Sequence, residues 1–352
     1  MGTVHVDYFP YTFRFRRPAG TSRGVLTKKT SWFLVLSDTA RPGIIGIGEC
    51  GPLPGLSPEN PDEMATLMGQ LAEDIQKSGP ENVHPRFPSL QFGLETALTD
   101  LGNGGNRILF PSSFTEGKNG IPINGLIWMS DPEFMKTQIR EKIDHGYRVI
   151  KIKVGAIDFE SELDILRFIR QEYGTGDLEI RLDANGAFSP GEALEKLNRL
   201  SGFNIHSIEQ PVAPGQWEAL SAVSAASPIP VALDEELIGM EREEDMEDLL
   251  TAVQPRFLVL KPTLLGGFTV CESWIKRAGK YDVGWWVTSA LESNIGLNAI
   301  AQWTGSLNPA VPQGLGTGRL FTHNFPSPLA IRNGRLFYLP EKKWNLDTLW
   351  KC

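Results

Sequence analysis

RVIKIKVG (148–155), LEIRLDANG (178–186), SIEQP (207–211), VALDEEL (231–237) and FLVLKP (257–262) share one plan. Each is a short β-prone run that stops at a polar residue able to do chemistry: Lys153, Asp183, Glu209, Asp234 and Lys261 in turn. Working outward, similar runs end near Trp128, Ser289 and Gly314, and from Lys153 onward successive ends lie 30, 26, 25, 27, 28 and 25 residues apart. A strand, a helix and two loops need roughly that length, and eight such units close a barrel. A doubly wound open sheet is the competing architecture, but it does not require near-equal units. The spacing therefore predicts an α/β chain whose residues 119–318 form a (β/α) barrel of the TIM type.

The flanks read differently. Thr12-Phe13-Arg14-Phe15-Arg16 alternates with period two, and Trp32-Phe33-Leu34-Val35-Leu36 is β-prone, so the chain opens on antiparallel strands. The Gly/Ser/Thr/Lys-rich segment 18–31 between them reads as a mobile loop, and its stretch from Gly20 to Thr30 is a candidate lid over the site. Asn60-Pro61-Asp62-Glu63 is a helix start, and a second helix is expected over 88–102. Residues 1–118 are thus expected to form an α+β capping domain. Asn333-Gly334 between two apolar runs predicts a hairpin in the tail, residues 319–352, which is expected to pack back on the cap.

Composition removes several functions. Thirty-four Lys and Arg against 42 Asp and Glu give a net charge of −8, and Arg14, Arg16, Arg17 and Arg23 are too few and too interrupted to form a phosphate-tracking face. Nucleic acid is not an expected partner. No stretch of about 18 apolar residues could cross a bilayer, and the amino terminus lacks the build of a signal peptide. Cys50, Cys271 and Cys352 lie far apart and read as free thiols in a reducing compartment. The expected location is the cytoplasm; oligomeric state is left open.

Barrel chemistry gathers at the C-terminal ends of the strands, which aims Lys153, Asp183, Glu209, Asp234 and Lys261 at one mouth. Lys151 and Lys153 are two apart and share a strand face, as do Arg181 and Asp183. Three converging carboxylates repel one another unless a cation neutralises them. Hard oxygen ligands suit magnesium, with manganese as the alternative, while the lack of a Cys/His cluster argues against zinc. A lysine beside a divalent ion, partly desolvated, has its ammonium form disfavoured and can serve as a base. A single Asp at a strand end is more often a helix cap, and a single strand Lys is more often a solvated edge residue. Five suitable groups on five consecutive repeats are hard to obtain as unrelated caps.

The order K-x-K, then D, E, D, then K resembles the muconate-lactonising-like branch of the enolase superfamily over essentially the whole chain. That resemblance implies Asp183, Glu209 and Asp234 as magnesium ligands and Lys153 with Lys261 as the catalytic pair. The mandelate-racemase-like branch uses a seventh-strand His, whereas this region is WVTSALES. GECGPLPGLSPE (48–59) and SALESNIG (289–296) look like the cap loop and seventh-strand substrate motif of o-succinylbenzoate synthases. Asn294 departs from that pattern, where a second small hydroxyl residue is expected. The short GLGTG at 314–318 lacks the strand-helix setting of a dinucleotide fingerprint and is expected to form the eighth-strand loop. The resemblance implies a lyase of menaquinone biosynthesis: syn-dehydration of a small carboxylate, 2-succinyl-6-hydroxy-2,4-cyclohexadiene-1-carboxylate, through an enediolate to 2-succinylbenzoate. It further implies that Lys151, Arg181, Ser289 and Leu291 contact substrate and that Asn185 and Glu235 orient the first set.

Three other readings compete. A racemase of N-succinylamino acids or a dipeptide epimerase of the same branch would use both lysines as opposed bases. Dipeptide epimerases usually carry Asp-x-Asp near the eighth strand, and residues 311–320 contain no acid. A Schiff-base aldolase leaves the three acids without a purpose. A barrel that only binds a carboxylate predicts that Lys153→Ala changes no turnover.

Overall fold

The computed structural model describes residues 2–21, 24–128 and 130–351. Arg23 and Cys352 lie outside the described residues, as does Ser22 within the expected lid. Strands β1 (Val4–Thr21) and β2 (Gly24–Asp38) form a long antiparallel pair, and β3 (Ile45–Cys50) adds to β2. The segment expected to be a mobile loop is therefore strand: Lys29 pairs with Phe13, and pairing continues to Thr21 and Gly24. Its polar composition hid this, because Lys29 and Ser31 alternate as buried residues whose polar ends are bonded inside the protein.

Asn60 accepts from the Asp62 amide and opens a single turn at Pro61–Glu63, which leads into α1 (Met64–Ser78). The next helix, α2 (Pro88–Gly102), lies flat on β3. A methyl group on Gly46 would run into the Ala97 carbonyl, and one on Gly48 into the Gly93 carbonyl. That close approach is what the glycines of IGIGEC permit.

After β4 (Ile121–Pro122) the chain alternates strand and helix. The order is β5 (Gly125–Ile127), α3 (Pro132–Asp144), β6 (Val149–Lys153), α4 (Phe159–Glu172), β7 (Glu179–Asp183), α5 (Pro190–Ser201) and β8 (Ile205–Glu209). It continues through α6 (Trp217–Ala226), β9 (Val231–Leu233), α7 (Glu243–Val253), β10 (Phe257–Leu260), α8 (Pro262–Leu265), α9 (Gly267–Lys280), β11 (Gly284–Val287) and α10 (Asn294–Ser306). Strands β5 to β11 form one parallel sheet of seven strands in sequential order. Ile150, Ile152, Ile180, Leu182 and Ile208 join helix residues such as Leu166, Ile169 and Leu197 in the main core. The alternate positions of the same strands are left for Lys151, Lys153, Arg181 and Asp183. The run near Gly314 forms no regular strand. Isolated parallel bridges, Ile123 with Gln313 and Thr288 with Gly314, tie it to both edges of the sheet. Pro312 lacks an amide donor and the glycines that follow weaken extended pairing.

In the tail, β12 (Leu329–Arg332) and β13 (Arg335–Tyr338) pair across Asn333 and Gly334, whose φ values of 47° and 66° suit a tight hairpin turn. The hairpin itself pairs with β4 rather than with the N-terminal sheet. It is Phe321, Phe325 and Leu349, on either side, that pack with Phe13 and Phe33. Two carboxylates fasten the N-terminal sheet and its α2 helix to helices of the parallel-sheet unit. Glu95 of α2 accepts from Phe268 and Thr269 at the start of α9, and Glu49 of β3 accepts from Ser293 and Gly296 at the start of α10. Helix N-termini carry unpaired donors and a partial positive charge, so both contacts match their chemistry.

Candidate metal centre and flanking lysines

Register builds the centre. Lys153 lies beside Asp183 in the β6–β7 ladder, and Asp183 beside Glu209 in the β7–β8 ladder. Neighbouring strands are about 4.8 Å apart, so residues level with one another at three strand ends are already within ion-sharing range. Asp234 follows β9 and enters a tight turn at Glu235–Leu237; its amide is held by the Gln210 side chain at 3.2 Å. The result is one buried group: carboxylate oxygens of Asp183, Glu209 and Asp234 all lie within 4.8 Å of one another.

The lysines frame this group. Lys151 Nζ sits 3.0 Å from Asp183 Oδ2 and 2.7 Å from Glu209 Oε2. Lys153 Nζ donates to the same Asp183 oxygen at 3.0 Å and to Asn185 Oδ1 at 2.5 Å. Asn185 in turn donates to Glu235 at 2.9 Å. Lys261 Nζ, arriving from the end of β10, donates to Asp234 Oδ2 at 2.5 Å. In the sheet, β6 and β10 lie on either side of β7, β8 and β9. The two amines thus reach the acid group from opposite flanks. An open cleft of about 880 Å³ lies over this edge, lined by Gly55, Leu56, Ala156, Asn185 and Glu235 among others.

Electrostatics set each group's state. Burial, reinforced by Asp183 and Asp234 and opposed by Lys151, pushes the Glu209 carboxyl up to about 7. Asp183 is driven the other way: burial resists its ionisation, but Lys151, Lys153 and Lys261 together hold it well below the usual carboxylate range. Burial works to lower Lys151 and Lys261, yet the facing carboxylates outweigh it and hold both above the ordinary lysine value. Glu209 Oε1 is buried and has no hydrogen-bond partner. A carboxylate oxygen aimed into an acid cluster without a donor fits a hard divalent cation, which all three residues could ligate.

Other expected residues fall in different places. Arg181 is fully buried below this level, bonded to Glu179 and to the Pro312 carbonyl, with its guanidinium 4.5 Å over the Trp286 ring. It shares a strand face with Asp183 but points toward the opposite end of the strands, so the structure does not put it at the mouth. Ser289 Oγ meets Thr317 Oγ1 at 2.6 Å, and Leu291 adopts a left-handed φ of 63°. Thr317, Lys29, Glu49 and Glu292 around this loop were not singled out from the sequence. GLGTG did point at Thr317 as part of the eighth-strand loop, while nothing local marks Lys29. Asn294, the departure from the family pattern, donates from its side chain to the Phe325 carbonyl and from its backbone amide to Asn324 Oδ1, tying α10 to the tail.

The Enolase C-terminal domain-like family matches residues 135–342. An o-succinylbenzoate synthase of Desulfotalea psychrophila is 43% identical, with 96% of this chain and 99% of that protein covered. The chain belongs to the o-succinylbenzoate synthase family. This family lies within the enolase superfamily, whose members bind a divalent metal, and the buried acid triad is in keeping with that. A crystal structure of MenC from D. psychrophila superposes with a TM-score of 0.86 at 41% identity, covering 96% of this chain and all of that one. A dipeptide epimerase from Cytophaga hutchinsonii, solved with Mg and the dipeptide D-Ala-L-Val, has a TM-score of 0.84 at 22% identity, covering 99% and 98%. That second likeness speaks for the fold alone. Among the described residues, no helix is long and apolar enough to cross a membrane.

Proposed function

We propose that the chain is a magnesium-dependent o-succinylbenzoate synthase that dehydrates 2-succinyl-6-hydroxy-2,4-cyclohexadiene-1-carboxylate to 2-succinylbenzoate in menaquinone biosynthesis. The observation that carries this reading is the pair of amines, Lys153 and Lys261, flanking three buried carboxylates that can share one ion. In the same reading, residues 1–118 cap a barrel of residues 119–318, and residues 319–352 complete the cap. The bridges at Gln313 and Gly314 support closure of the seven-stranded sheet into that barrel.

A bound divalent ion supplies fixed positive charge for the substrate carboxylate as its oxygens gain negative charge. Asp183, Glu209 and Asp234 would hold it. Lys153, as the free amine, takes the proton from the ring carbon that bears the carboxylate. The ammonium so formed gives a proton to the hydroxyl leaving from the same ring face, and water departs as the ring becomes aromatic. Lys153 ends as it began, so one residue suffices for both transfers. Lys261 stays cationic because Asp234 and Glu235 outweigh burial, and it faces the ring from the other flank. Asn185 and Glu235 hold the Lys153 amine in line. Lys151 neutralises Asp183 and Glu209, and Ser289 and Leu291 receive the succinyl arm.

Racemisation of N-succinylamino acids is a second reading, favoured by the opposed placement of the two amines. Ultraviolet spectroscopy of the cyclohexadiene substrate, with and without magnesium, decides the first: the diene absorbance should disappear only with the ion. An unchanged spectrum in both conditions removes the dehydratase. Deuterium uptake from heavy water at the α-carbon of an N-succinylamino acid tests the second.

A further inference from the structure

Away from the acid triad, a second buried polar cluster joins the N-terminal sheet to the loop after β11. Lys29 of β2 is 3% exposed, and its Nζ donates to the Leu291 carbonyl at 2.9 Å and toward the Ala290 carbonyl at 3.4 Å. Glu49 of β3 accepts from Ser31 at 2.7 Å, from the Ser293 hydroxyl at 2.6 Å and from the amides of Ser293 and Gly296 at 3.0 Å. Glu292 takes the Ala290 amide and the Thr263 hydroxyl. None of the bonds made by Lys29 or Glu49 goes to Asp183, Glu209 or Asp234.

Between these anchors Leu291 is held at φ 63°, in the left-handed region that is unfavourable for a non-glycine residue. Its carbonyl is fixed by Lys29 on one side, while Glu292 and Glu49 fix the amides before and after it. A seam of apolar side chains would join sheet and loop with less desolvation than a buried lysine amine bonded to backbone carbonyls. An amine that reaches two consecutive carbonyls supplies direction instead. The close packing of α2 on Gly48 fixes the strand that carries Glu49, so the anchor is rigid at its base.

The geometry points to Lys29, with Glu49 beside it, as a positioning residue that sets the Ser289–Leu291 loop and thereby the affinity for the substrate's succinyl arm. This rests on the reading that the loop receives that arm. Lys29 touches the loop backbone, not the reacting atoms, so its removal should change arm recognition more than ring recognition.

The test is calorimetric binding of o-succinylbenzoate and of benzoate, which lacks the arm, to the magnesium-loaded full chain and to Lys29→Met. Methionine keeps the reach of the lysine stem and removes the donor. The expected result is a loss of about tenfold for o-succinylbenzoate with less than about twofold for benzoate. Turnover should show a raised KM with a smaller fall in kcat. Equal losses for both ligands, or no loss for either, overturn the proposal, because a merely structural lysine would act on both alike. If Lys29→Met does not fold, Glu49→Gln is measured in its place, and an unchanged ratio of the two affinities is equally fatal. Native protein that binds no o-succinylbenzoate removes the dehydratase reading and this proposal together; native binding with an unchanged ratio removes only this proposal.

Discussion

Lys151 is wedged between Asp183 and Glu209, and its side chain is almost closed to solvent. Removing it leaves two buried carboxylates facing each other without their counter-charge, which for a buried pair costs about 3–5 kcal/mol. Lys151→Met should therefore lose about that much stability in urea when EDTA is present, and recover more on adding magnesium than the native chain does. Equal recovery in both proteins would show that the amine does not compensate the charges of Asp183 and Glu209. Lys153 stands differently, bonded to one triad oxygen and to Asn185, which lines the cleft. Lys153→Ala should reduce kcat by about 10²–10⁴ while magnesium still raises the melting temperature. These residues were legible in the sequence because strand ends fix direction: one polar residue after an alternating apolar run can face only the mouth. Arg181 shows the limit of that logic. It has the same parity as Asp183, but parity gives a face and not a height, and a long side chain two residues earlier reaches the other end of the strand. Lys29 was illegible for another reason. Its partners, Ala290 and Leu291, are more than 260 positions away, and they are carbonyls, which leave no mark on a sequence.

Helix ends carry much of the wiring between elements. Glu95 reaches from α2 to the exposed donors at the start of α9, taking two amides and the Thr269 hydroxyl. Loss of an N-terminal cap costs about 1–2 kcal/mol, so Glu95→Ala should lower the unfolding free energy by that amount, read as a lower urea midpoint with the slope of the transition unchanged. Within the parallel-sheet unit, Glu162 of α4 reaches back to accept from the Gly155 amide in the loop that follows Lys153. Burial, opposed by those backbone bonds and by Lys196, pushes its carboxyl from 4.5 up to about 7. The folded chain then keeps a proton that the unfolded chain releases near 4.5. Stability contributed by this group is full below about pH 4.5 and falls as pH rises toward 7, by on the order of 3 kcal/mol. Subtracting the Glu162→Gln stability profile from the native one should expose that fall; a flat difference between pH 4.5 and 7 would show that Glu162 is ionised throughout. Period and capping signals make the helices at Pro61 and Pro88 readable from the residues alone. The strand over residues 24–31 is not readable in that way, because its buried positions are polar and satisfied by distant groups, so the apolar alternation that marks a half-buried strand is missing.

At the scale of the whole molecule, near-equal spacing of strand ends was enough to reveal the repeating unit, since each unit must span the same sheet. The eighth unit obeyed the spacing without forming a regular strand, because spacing records chain length and not hydrogen bonding. What spacing could not reveal is how the N-terminal module joins the rest. Phe13, Phe33 and Leu53 of that module share one apolar cluster with Leu264, Leu291 and Ile295 and with Phe321 and Phe325 of the tail. Glu49, Glu95 and Lys29 add directed polar bonds across the same seam. The module's helices pack on its sheet in a cluster of their own, with Leu34, Met68, Leu90 and Leu94, but the Phe13 and Phe33 side is buried only by the rest of the chain, so the module has little to gain by folding first or unfolding last. The chain should therefore melt as one cooperative unit: tryptophan fluorescence and far-ultraviolet circular dichroism should trace coincident urea transitions. Glu49→Gln combined with Glu95→Gln weakens the polar part of the seam and leaves the apolar cluster intact, so the pair should lower the midpoint while the two traces still coincide. Separate transitions in the native chain would mean that the seam is a docking surface between independently stable domains, and the loop after β11 would then be free to follow either one.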